Sequence, residues 1–259
     1  MTIGLGTGST ASFAVRRLAE RIRQGEVKDV VCASTSEETR KLAESLGISV
    51  LPLDQIPLPL DVAIDGADEV METAEGLVMI KGRGGALLRE KLVEVNSKNF
   101  VCIVDEEKVV GEDVFGTTGA VPLEIVQFGA QATRRAVLAA VAAALGEGGP
   151  QGPPDWAPQG APQGAPQGAP EEDPEAAARA LGVSAVYRQL KGSKELFVSD
   201  NGNFCLDLFF EKPIKDPRGL HERLINVVGV VETGFFIGLS KICIVGLMKG
   251  STKRLALRT

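Results

Sequence analysis

Strand-like and helix-like segments alternate along the first half of the chain, and this alternation limits the fold more than any other feature. The strand candidates are short runs rich in aliphatic residues, at 29–34, 48–52, 60–65, 77–81 and 99–105. Helix candidates are interspersed with them, at 10–24, 36–46 and 85–97. Parallel strands need a long crossover between them, usually a helix. The alternation therefore predicts an α/β domain with a doubly wound, mostly parallel, Rossmann-like sheet.

The second half of the chain has a different pattern. An Ala-rich helix at 129–145 is followed, after an insertion, by short strands at 183–191, 195–200 and 203–210, a helix with Pro217 in its first turn, and strands near 230–238 and 241–246. The Asn-Gly pair in "DNGN" is a strong signal for a hairpin turn. This order predicts a smaller α+β domain of the ferredoxin-like kind. We expect residues 1–121 with 233–259 to form the Rossmann-like catalytic domain and residues 122–232 to form the smaller one.

The insertion at 146–174 is rich in Pro, Gly and Gln, and repeats a Pro-Gln-Gly-Ala unit three times. A segment with so little apolar content cannot build a core, so we predict a disordered loop tethered to the surface. A spacer is the favoured interpretation, with a ligand for a proline-reading module as the alternative.

Composition excludes several classes of partner. The formal net charge is −6, without the basic excess that nucleic-acid binding usually needs. The longest uncharged apolar run, Ala136–Leu145, is about half the length of a bilayer span, so no membrane partner is expected. The four cysteines each lie inside an apolar run and are interpreted as core thiols of a cytoplasmic protein: Cys32, Cys102, Cys205 and Cys243.

Three polar segments follow strand candidates, where ligands bind in an open parallel sheet. The first is "GLGTGST", which runs into the helix at 10–24 and contains Thr7, Gly8, Ser9 and Thr10. Glycines allow close approach of the backbone, and the exposed amides of a helix N-terminus favour an anion such as phosphate. A tight turn with an N-cap is the alternative.

The second segment, "AIDGADEV", places Asp65 and Asp68 at the end of an apolar strand. Such a pair can accept hydrogen bonds from a polyol, act as an acid and base, or bind magnesium. An N-cap and turn would use the same residues. One carboxylate pair makes a poor metal cage, and no metal site or cofactor is predicted.

The third segment, "KGRGGALLREK", provides a cation for these acids. Lys81 ends a strand candidate and would offset the repulsion between the carboxylates. Glu90 falls about two turns into the next helix, and by its pattern alone is best interpreted as a solvated residue paired with a neighbouring Lys or Arg.

Together and in order, "GLGTGST", "IDGADEV", "KGRGGALLREK" and "FVCIVDEEK" resemble ribose-5-phosphate isomerase of the A type, as do "VPLEIVQFG", "SDNGNFCLDL" and "GVVETGFFIGLSKICIVG" farther along. The similarity covers nearly the whole chain except the insertion. It implies a reversible, metal-independent interconversion of ribose 5-phosphate and ribulose 5-phosphate through an enediolate, in the pentose phosphate pathway. It also implies a homodimer or homotetramer without a cofactor.

The resemblance assigns roles by motif position. Glu90 matches the family's proton acceptor, Lys81 would stabilise the enediolate, and Asp65 or Asp68 would shuttle the ring-opening proton. The remaining implied contacts to phosphate and sugar are Thr7, Gly8, Ser9, Thr10, Gly66, Ala67, Gly82, Arg83, Gly84 and Lys108.

Two departures from the family pattern carry expectations of their own. The resemblance implies a helix and a strand before the phosphate loop, whereas only Met1 to Ile3 precede Gly4. We therefore expect either a truncated chain, with an incomplete sheet and weaker phosphate binding, or a misassigned start. Arg83 stands where the family usually has Gly. If that position needs a positive φ, the loop must adjust; alternatively, Arg83 adds a phosphate or hydroxyl contact.

The sequence is also compatible with two other functions. A non-catalytic sugar-phosphate sensor would keep the binding loops and use the insertion as a tether. A glucosamine-6-phosphate deaminase would use a similar scaffold, but no His is suitably placed near the acids. The single histidine, His221, lies on a charged helix face and is expected to be solvated.

Overall fold

The computed structural model describes residues 1–74, 76–146, 173–248 and 250–256. The strands are β1 (Thr2–Leu5), β2 (Val31–Ser34), β3 (Val62–Asp65), β4 (Glu69–Thr73), β5 (Gly76–Ile80), β6 (Phe100–Asp105), β7 (Val121–Ile125), β8 (Val183–Tyr187), β9 (Phe204–Phe210), β10 (Val230–Thr233), β11 (Phe235–Ile237), β12 (Ile242–Gly246) and β13 (Thr252–Ala256). The α-helices are α1 (Ser9–Arg23), α2 (Glu37–Ser45), α3 (Leu87–Val95), α4 (Ala130–Leu145), α5 (Pro174–Ala180) and α6 (Pro217–Ile225).

The largest sheet has six strands in the order β13-β12-β6-β3-β1-β2. All neighbours are parallel except β12 and β13. The chain leaves β1 towards β2 on one side, then crosses to β3 on the other. This reversal creates a crevice outside the carboxyl ends of β1 and β3, which is where open α/β sheets bind ligands. The predicted α/β fold with a mostly parallel sheet is confirmed.

Three details of the predicted sheet are wrong. β5 is outside it, in a separate sheet of order β11-β5-β4 in which β5 is antiparallel to both neighbours. Only three residues separate β3 from β4, too few for a crossover back into a parallel sheet. The candidate at 48–52 contributes a single bridge, from Val50 to Cys32. Strand β13, which pairs with β12, was not predicted.

The second large sheet has the order β10-β7-β9-β8 and is antiparallel throughout. Helix α4 follows β7, α6 follows β9, and the two helices contact each other. This is the ferredoxin-like arrangement that the sequence predicts. From these sheets we propose the division into a domain of residues 1–121 with 233–259 and a smaller one of residues 122–232.

Two strand candidates in this half differ from the structure. Residues 195–200 form isolated bridges and not a strand, although the Asn-Gly turn is present, with Gly202 at φ 77°. The candidate at 230–238 is divided at Gly234, so β10 and β11 belong to different sheets. A Cβ at Gly234 would lie 2.6 Å from the Lys81 carbonyl oxygen, so the close approach that joins the sheets requires glycine.

The predicted loop at 146–174 lies almost entirely outside the described residues. Its last residues belong to a helix, since Asp173 caps α5 by accepting a hydrogen bond from Glu175 N, and Pro174 is the first residue of α5. All four cysteines are buried and free. Within the described ranges, every helix is too short or too polar to cross a bilayer.

Candidate active site

The candidate site lies at the crevice between the ends of β1 and β3. Gly6 follows β1, and its N–H donates to the Ile64 carbonyl at 2.9 Å. A Cβ at Gly6 would lie 2.1 Å from Asp65 Oδ1 and 2.6 Å from Asp65 Cα. Glycine is therefore required for the loop after β1 to approach Asp65 this closely.

The loop leads into a helix N-terminus that no side chain caps. Gly8 occupies the N-cap of α1 with φ 96°, and the first turn contains no acidic residue. The amides at the start of a helix point outward and carry a partial positive charge. Ser9 and Thr10, exposed and half-buried, line the site beside these amides. This end of α1 can therefore bind a phosphate group.

The hydroxyl of Thr7 makes its hydrogen bonds within the protein. Its Oγ1 donates to Ser36 Oγ at 2.8 Å and lies 2.6 Å from Thr35 Oγ1, while its backbone N–H donates to Asp65 Oδ1 at 3.0 Å. Thr7 thus connects the phosphate loop to the start of α2 and to β3. The hydroxyl donor predicted there for a phosphate is already used by these neighbours.

Asp65 ends β3 and is fully buried beneath the loop. Its Oδ1 accepts the N–H groups of Thr7 and Gly66, at 3.0 and 2.7 Å. Its Oδ2 lies 3.1 Å from Lys81 Nζ. Burial raises the pKa of Asp65, and the contacts with Lys81, Gly66 and Thr7 oppose that rise by stabilising the ionised form. Asp65 therefore helps to hold Lys81 in place.

Lys81 follows β5, and three carboxylates enclose its ammonium group. Nζ lies 3.1 Å from Asp65 Oδ2, 3.2 Å from Glu94 Oε1 and 3.6 Å from Glu90 Oε2, and the Lys81 side chain is only 2% exposed. Burial acts to lower the pKa of Lys81, but Asp65, Glu90 and Glu94 together raise it well above the ordinary value. Lys81 is therefore a permanent, fixed positive charge.

Glu90 lies on α3 and points inward to this charge, so the expectation of a solvated Glu90 is wrong. Its side chain is 6% exposed, and its carboxylate pairs with Lys81 and not with a helix neighbour. Burial raises the pKa of Glu90 to about 8; Lys81 opposes this rise, and Asp65 and Asp68 add to it. A carboxylate with a near-neutral pKa is suited to taking a proton and returning it.

The loop from Gly82 to Gly85 connects Lys81 to α3 and forms one wall of the site. Gly82 and Gly85 have φ angles of 94° and 89°, a region that glycine adopts without strain, whereas Arg83 has an ordinary negative φ. The backbone N–H of Arg83 donates to Asp68 Oδ2 at 2.9 Å. The loop therefore orients Asp68, and Arg in place of Gly causes no strain at position 83.

The Arg83 side chain lies in a buried polar cluster and does not line the pocket. Its Nη2 is 2.6 Å from Glu69 Oε1, and its Nε donates to the Ala120 carbonyl at 2.9 Å. Glu69 is itself fully buried and also accepts hydrogen bonds from Gly116 N and Thr118 Oγ1. Glu69, the third acid of "AIDGADEV", is thus paired with Arg83. A substrate contact from the Arg83 side chain stays a prediction.

A second arginine supports the loop from the antiparallel sheet. Arg188, just after β8, donates from Nη1 to the carbonyls of Gly82 and Arg83, at 3.2 and 3.0 Å. Its guanidinium is paired with Asp207, and the Phe197 ring lies 5.8 Å from it. The position of the loop therefore depends on residues more than 100 positions away in the chain.

These segments enclose a pocket of about 270 Å³. It is lined by Thr7, Gly8, Ser9, Thr10, Gly66, Ala67, Asp68, Lys81, Gly82, Gly84, Glu90, Asp105, Glu107 and Lys108. Twelve of the fourteen predicted residues are in this set, and the other two, Asp65 and Arg83, lie behind it. The volume is close to the lower limit for ligand sites and suits a small sugar phosphate.

The sequence reasoning missed three acids. Asp105 and Glu107 line the pocket beside Lys108, at the end of β6. Glu94 lies beneath it, and its spacing of four from Glu90 places both on one face of α3. That spacing was the available signal, but "REKLVEV" has the charge pattern of a solvated helix.

His221 is remote from this pocket and is half-buried, which corrects its predicted solvation. Its Nδ1 lies 2.7 Å from Thr233 Oγ1, and its ring packs edge-on to Phe235 at 6.5 Å. Within the described ranges, no group of three or more His, Cys, Asp and Glu side chains is arranged to hold a metal ion.

Known proteins are similar to this chain in both sequence and architecture. The family described as ribose 5-phosphate isomerase A (phosphoriboisomerase A) matches residues 31–149 and 172–250. Ribose-5-phosphate isomerase A of Chloroflexus aurantiacus is 37% identical over 93% of this chain and 80% of its own length. The Bacillus mycoides enzyme of that name is 34% identical over 96% and 90%.

Solved structures agree with these matches. Ribose 5-phosphate isomerase from Plasmodium falciparum superimposes with a TM-score of 0.79 at 32% identity, covering 100% of this chain and 92% of the other. A D-ribose-5-phosphate isomerase in complex with phospho-erythronic acid gives 0.74 at 31%, covering 99% and 90%. The chain belongs to the ribose 5-phosphate isomerase A family.

Proposed function

We propose that this protein interconverts ribose 5-phosphate and ribulose 5-phosphate, with Glu90 as the base. The observation that carries the proposal is the position of Glu90: its buried carboxylate and the Lys81 ammonium lie 3.6 Å apart at a pocket that also includes an uncapped helix N-terminus. A base, a fixed cation and a phosphate site are the three parts that this reaction needs.

The chemistry moves one proton between adjacent carbons. Ionised Glu90 takes the proton from C2 of the open-chain aldose, which leaves an enediolate with its negative charge on O1. A proton passes from the C2 hydroxyl to O1, and Glu90 returns its proton to C1 to form the ketose. The Lys81 charge offsets the negative charge that develops on the oxygens, and such preorganised stabilisation is worth about 3 kcal/mol. Asp68, oriented by the Arg83 amide, lies at the pocket where it can exchange the ring-opening proton.

The phosphate end supplies binding energy away from the reacting carbons. We assign it to the α1 N-terminus with Ser9 and Thr10, and to Lys108, which lines the same pocket. Contacts to a non-reacting group can orient C1 and C2 against Glu90, and so lower the barrier.

Three further properties belong to the proposal. The reaction is metal-independent, which is supported by Lys81 providing the positive charge that a metal would supply. The protein acts as a homodimer or homotetramer, which is supported by large exposed apolar side chains such as Phe128 and Val228, exposed by 93% and 84%. It works in the cytoplasm and not at a membrane or on nucleic acid.

The test is the Glu90→Gln variant, assayed by coupled isomerisation in both directions with and without a chelator. We expect kcat to fall by about 10³-fold or more because the amide cannot accept the proton. The affinity for phospho-erythronic acid, measured by calorimetry, should change little. Glu38→Gln, on the exposed face of α2, is the matched control.

Two results would contradict the proposal. Retained turnover in Glu90→Gln would remove Glu90 from the role of base. Binding of ribose 5-phosphate by the unmodified protein, without solvent deuterium entering the sugar, would favour the non-catalytic sensor. Loss of activity with the chelator would contradict metal independence alone.

A further inference from the structure

The buried cluster beneath the pocket contains one acid that the proposed reaction does not use. Glu94 lies one helical turn after Glu90 on α3, with its side chain wholly inaccessible to solvent and its Oε1 3.2 Å from Lys81 Nζ. Neither of its oxygens makes a hydrogen bond of ordinary geometry with a described residue. An ionised carboxylate in such a position would be costly, because burial removes hydration and one cation of the described residues, Lys81, is within ion-pair distance.

The charges around Lys81 do not balance if all three neighbouring acids are ionised. Lys81 is one positive charge within 3.6 Å of three acids. Asp65 is the best stabilised as an anion, because two backbone N–H groups also donate to it. Because Lys81 is already paired with Asp65, Glu90 and Glu94 compete for the remaining electrostatic stabilisation that its ammonium group can provide.

Other groups around Glu94 do not supply the positive charge that a second ionised glutamate would need. Lys91, on the same helix, is paired with Glu232 of β10 at 2.6 Å. Cys102 of β6 faces the cluster as a neutral thiol, since its pKa is raised well above the ordinary value by its hydrogen bond with Cys243 and by burial. Among the described residues, Lys81 is thus the one cation in ion-pair contact with Glu94.

We propose that Glu94 is a positioning residue that stays protonated during turnover, so that the Lys81 ammonium serves only Asp65 and the working base Glu90. This inference rests on the proposed role of Glu90. Burial, together with the charges of Asp65 and Glu90, raises the pKa of Glu94 well above its ordinary value, in agreement with a neutral acid. Ionisation of Glu94 would add a second negative charge next to Glu90 and draw Lys81 away from the enediolate.

The pH profile of kcat/KM is the kinetic test. Ionisation of Glu90 gives the acid limb, and ionisation of Glu94 gives the alkaline limb, since the pKa of Lys81 is too far above the ordinary value to do so. Glu94→Gln mimics the protonated acid permanently and should lose the alkaline limb. Above the optimum of the unmodified enzyme the two rates should then diverge by about tenfold per pH unit.

Infrared spectroscopy tests the protonation state without relying on turnover. With ¹³C-labelled glutamate, the Glu90→Gln protein at neutral pH should show a neutral carboxylic acid band, and the Glu90→Gln/Glu94→Gln double variant should lack it. Circular dichroism shows whether Glu94→Gln folds, and the labelled Glu90→Gln protein provides the assignment if it does not.

Three outcomes would overturn the inference while leaving Glu90 as the base. These are a Glu94→Gln variant that loses as much turnover as Glu90→Gln, one that keeps the alkaline limb, and the absence of the acid band from Glu90→Gln. Retained turnover in Glu90→Gln would instead refute the proposed base itself.

Discussion

The raised pKa of Glu90 predicts that part of the stability of this protein is lost as the pH rises. The pKa of Glu90 is about 8 in the folded protein against 4.5 for an ordinary glutamate. Between these two values the folded chain holds a proton on Glu90 that the unfolded chain has released. The free energy of unfolding must then fall with increasing pH, because deprotonation favours the unfolded state.

The size of the effect follows from the interval between the two pKa values. One additional proton in the folded state gives a slope of about 1.4 kcal/mol per pH unit. The contribution is complete below pH 4.5 and lost by about pH 8, a total of about 5 kcal/mol. Glu90→Gln lacks this titration, so the difference in unfolding free energy between the two proteins reports the Glu90 contribution together with the change in its coupling to Glu94.

The measurement is urea-induced unfolding followed by circular dichroism at pH 5, 6, 7, 8 and 9, at constant ionic strength. The unmodified protein should lose stability relative to Glu90→Gln by several kcal/mol across this range, and Glu38→Gln should follow the unmodified protein. If the curves for Glu90→Gln and the unmodified protein run parallel, Glu90 titrates at an ordinary pKa, and the inference of a buried, near-neutral base is refuted.

Two other substitutions test the parts that hold the site together. Gly6→Ala places a Cβ 2.1 Å from Asp65 Oδ1, and should lower the free energy of unfolding by about 3 kcal/mol or more. Gly84→Ala meets nothing within 4 Å and should cost less than about 1 kcal/mol, so thermal unfolding that ranks the two alike would contradict the close packing at Gly6. Arg188→Met removes the donors that hold the carbonyls of Gly82 and Arg83, and should raise KM for the sugar phosphate about tenfold. Arg179→Met, at an exposed position of α5, is the control, and an unchanged KM in Arg188→Met would show that the loop keeps its position without that support.

Much of the fold was predictable because it depends on local patterns. The crossover helices at α1, α2 and α3 follow from apolar periodicity and caps such as Ser36, and they require a parallel sheet around them. Local patterns did not predict which sheet β5 belongs to, because an apolar strand has the same pattern in either sheet. The three-residue connection before β4 decides it, and only the length of that connection makes a parallel return impossible.

Local sequence patterns are equally limited in what they predict about the active site. Family motifs identify Lys81 and Glu90, but the residues around them indicate a solvated Glu90, because "REKLVEV" has the charge pattern of an exposed helix. Burial depends on which face of α3 meets β3, β7 and β10. It is packing between distant segments that turns Glu90 and Glu94 inward and raises their pKa values.

The amino-acid sequence by itself determined the order of the elements, the glycines where the backbone turns, and the residue types that could bind a phosphate and move a proton. Tertiary structure alone decided which of these residues share one ammonium group and which are withdrawn from the pocket, as Arg83 is by Glu69. The physical reason is that hydration and charge act over distances of a few ångström in space. Residues 65, 81, 90 and 94 come within that distance only when β3, β5 and α3 have packed together.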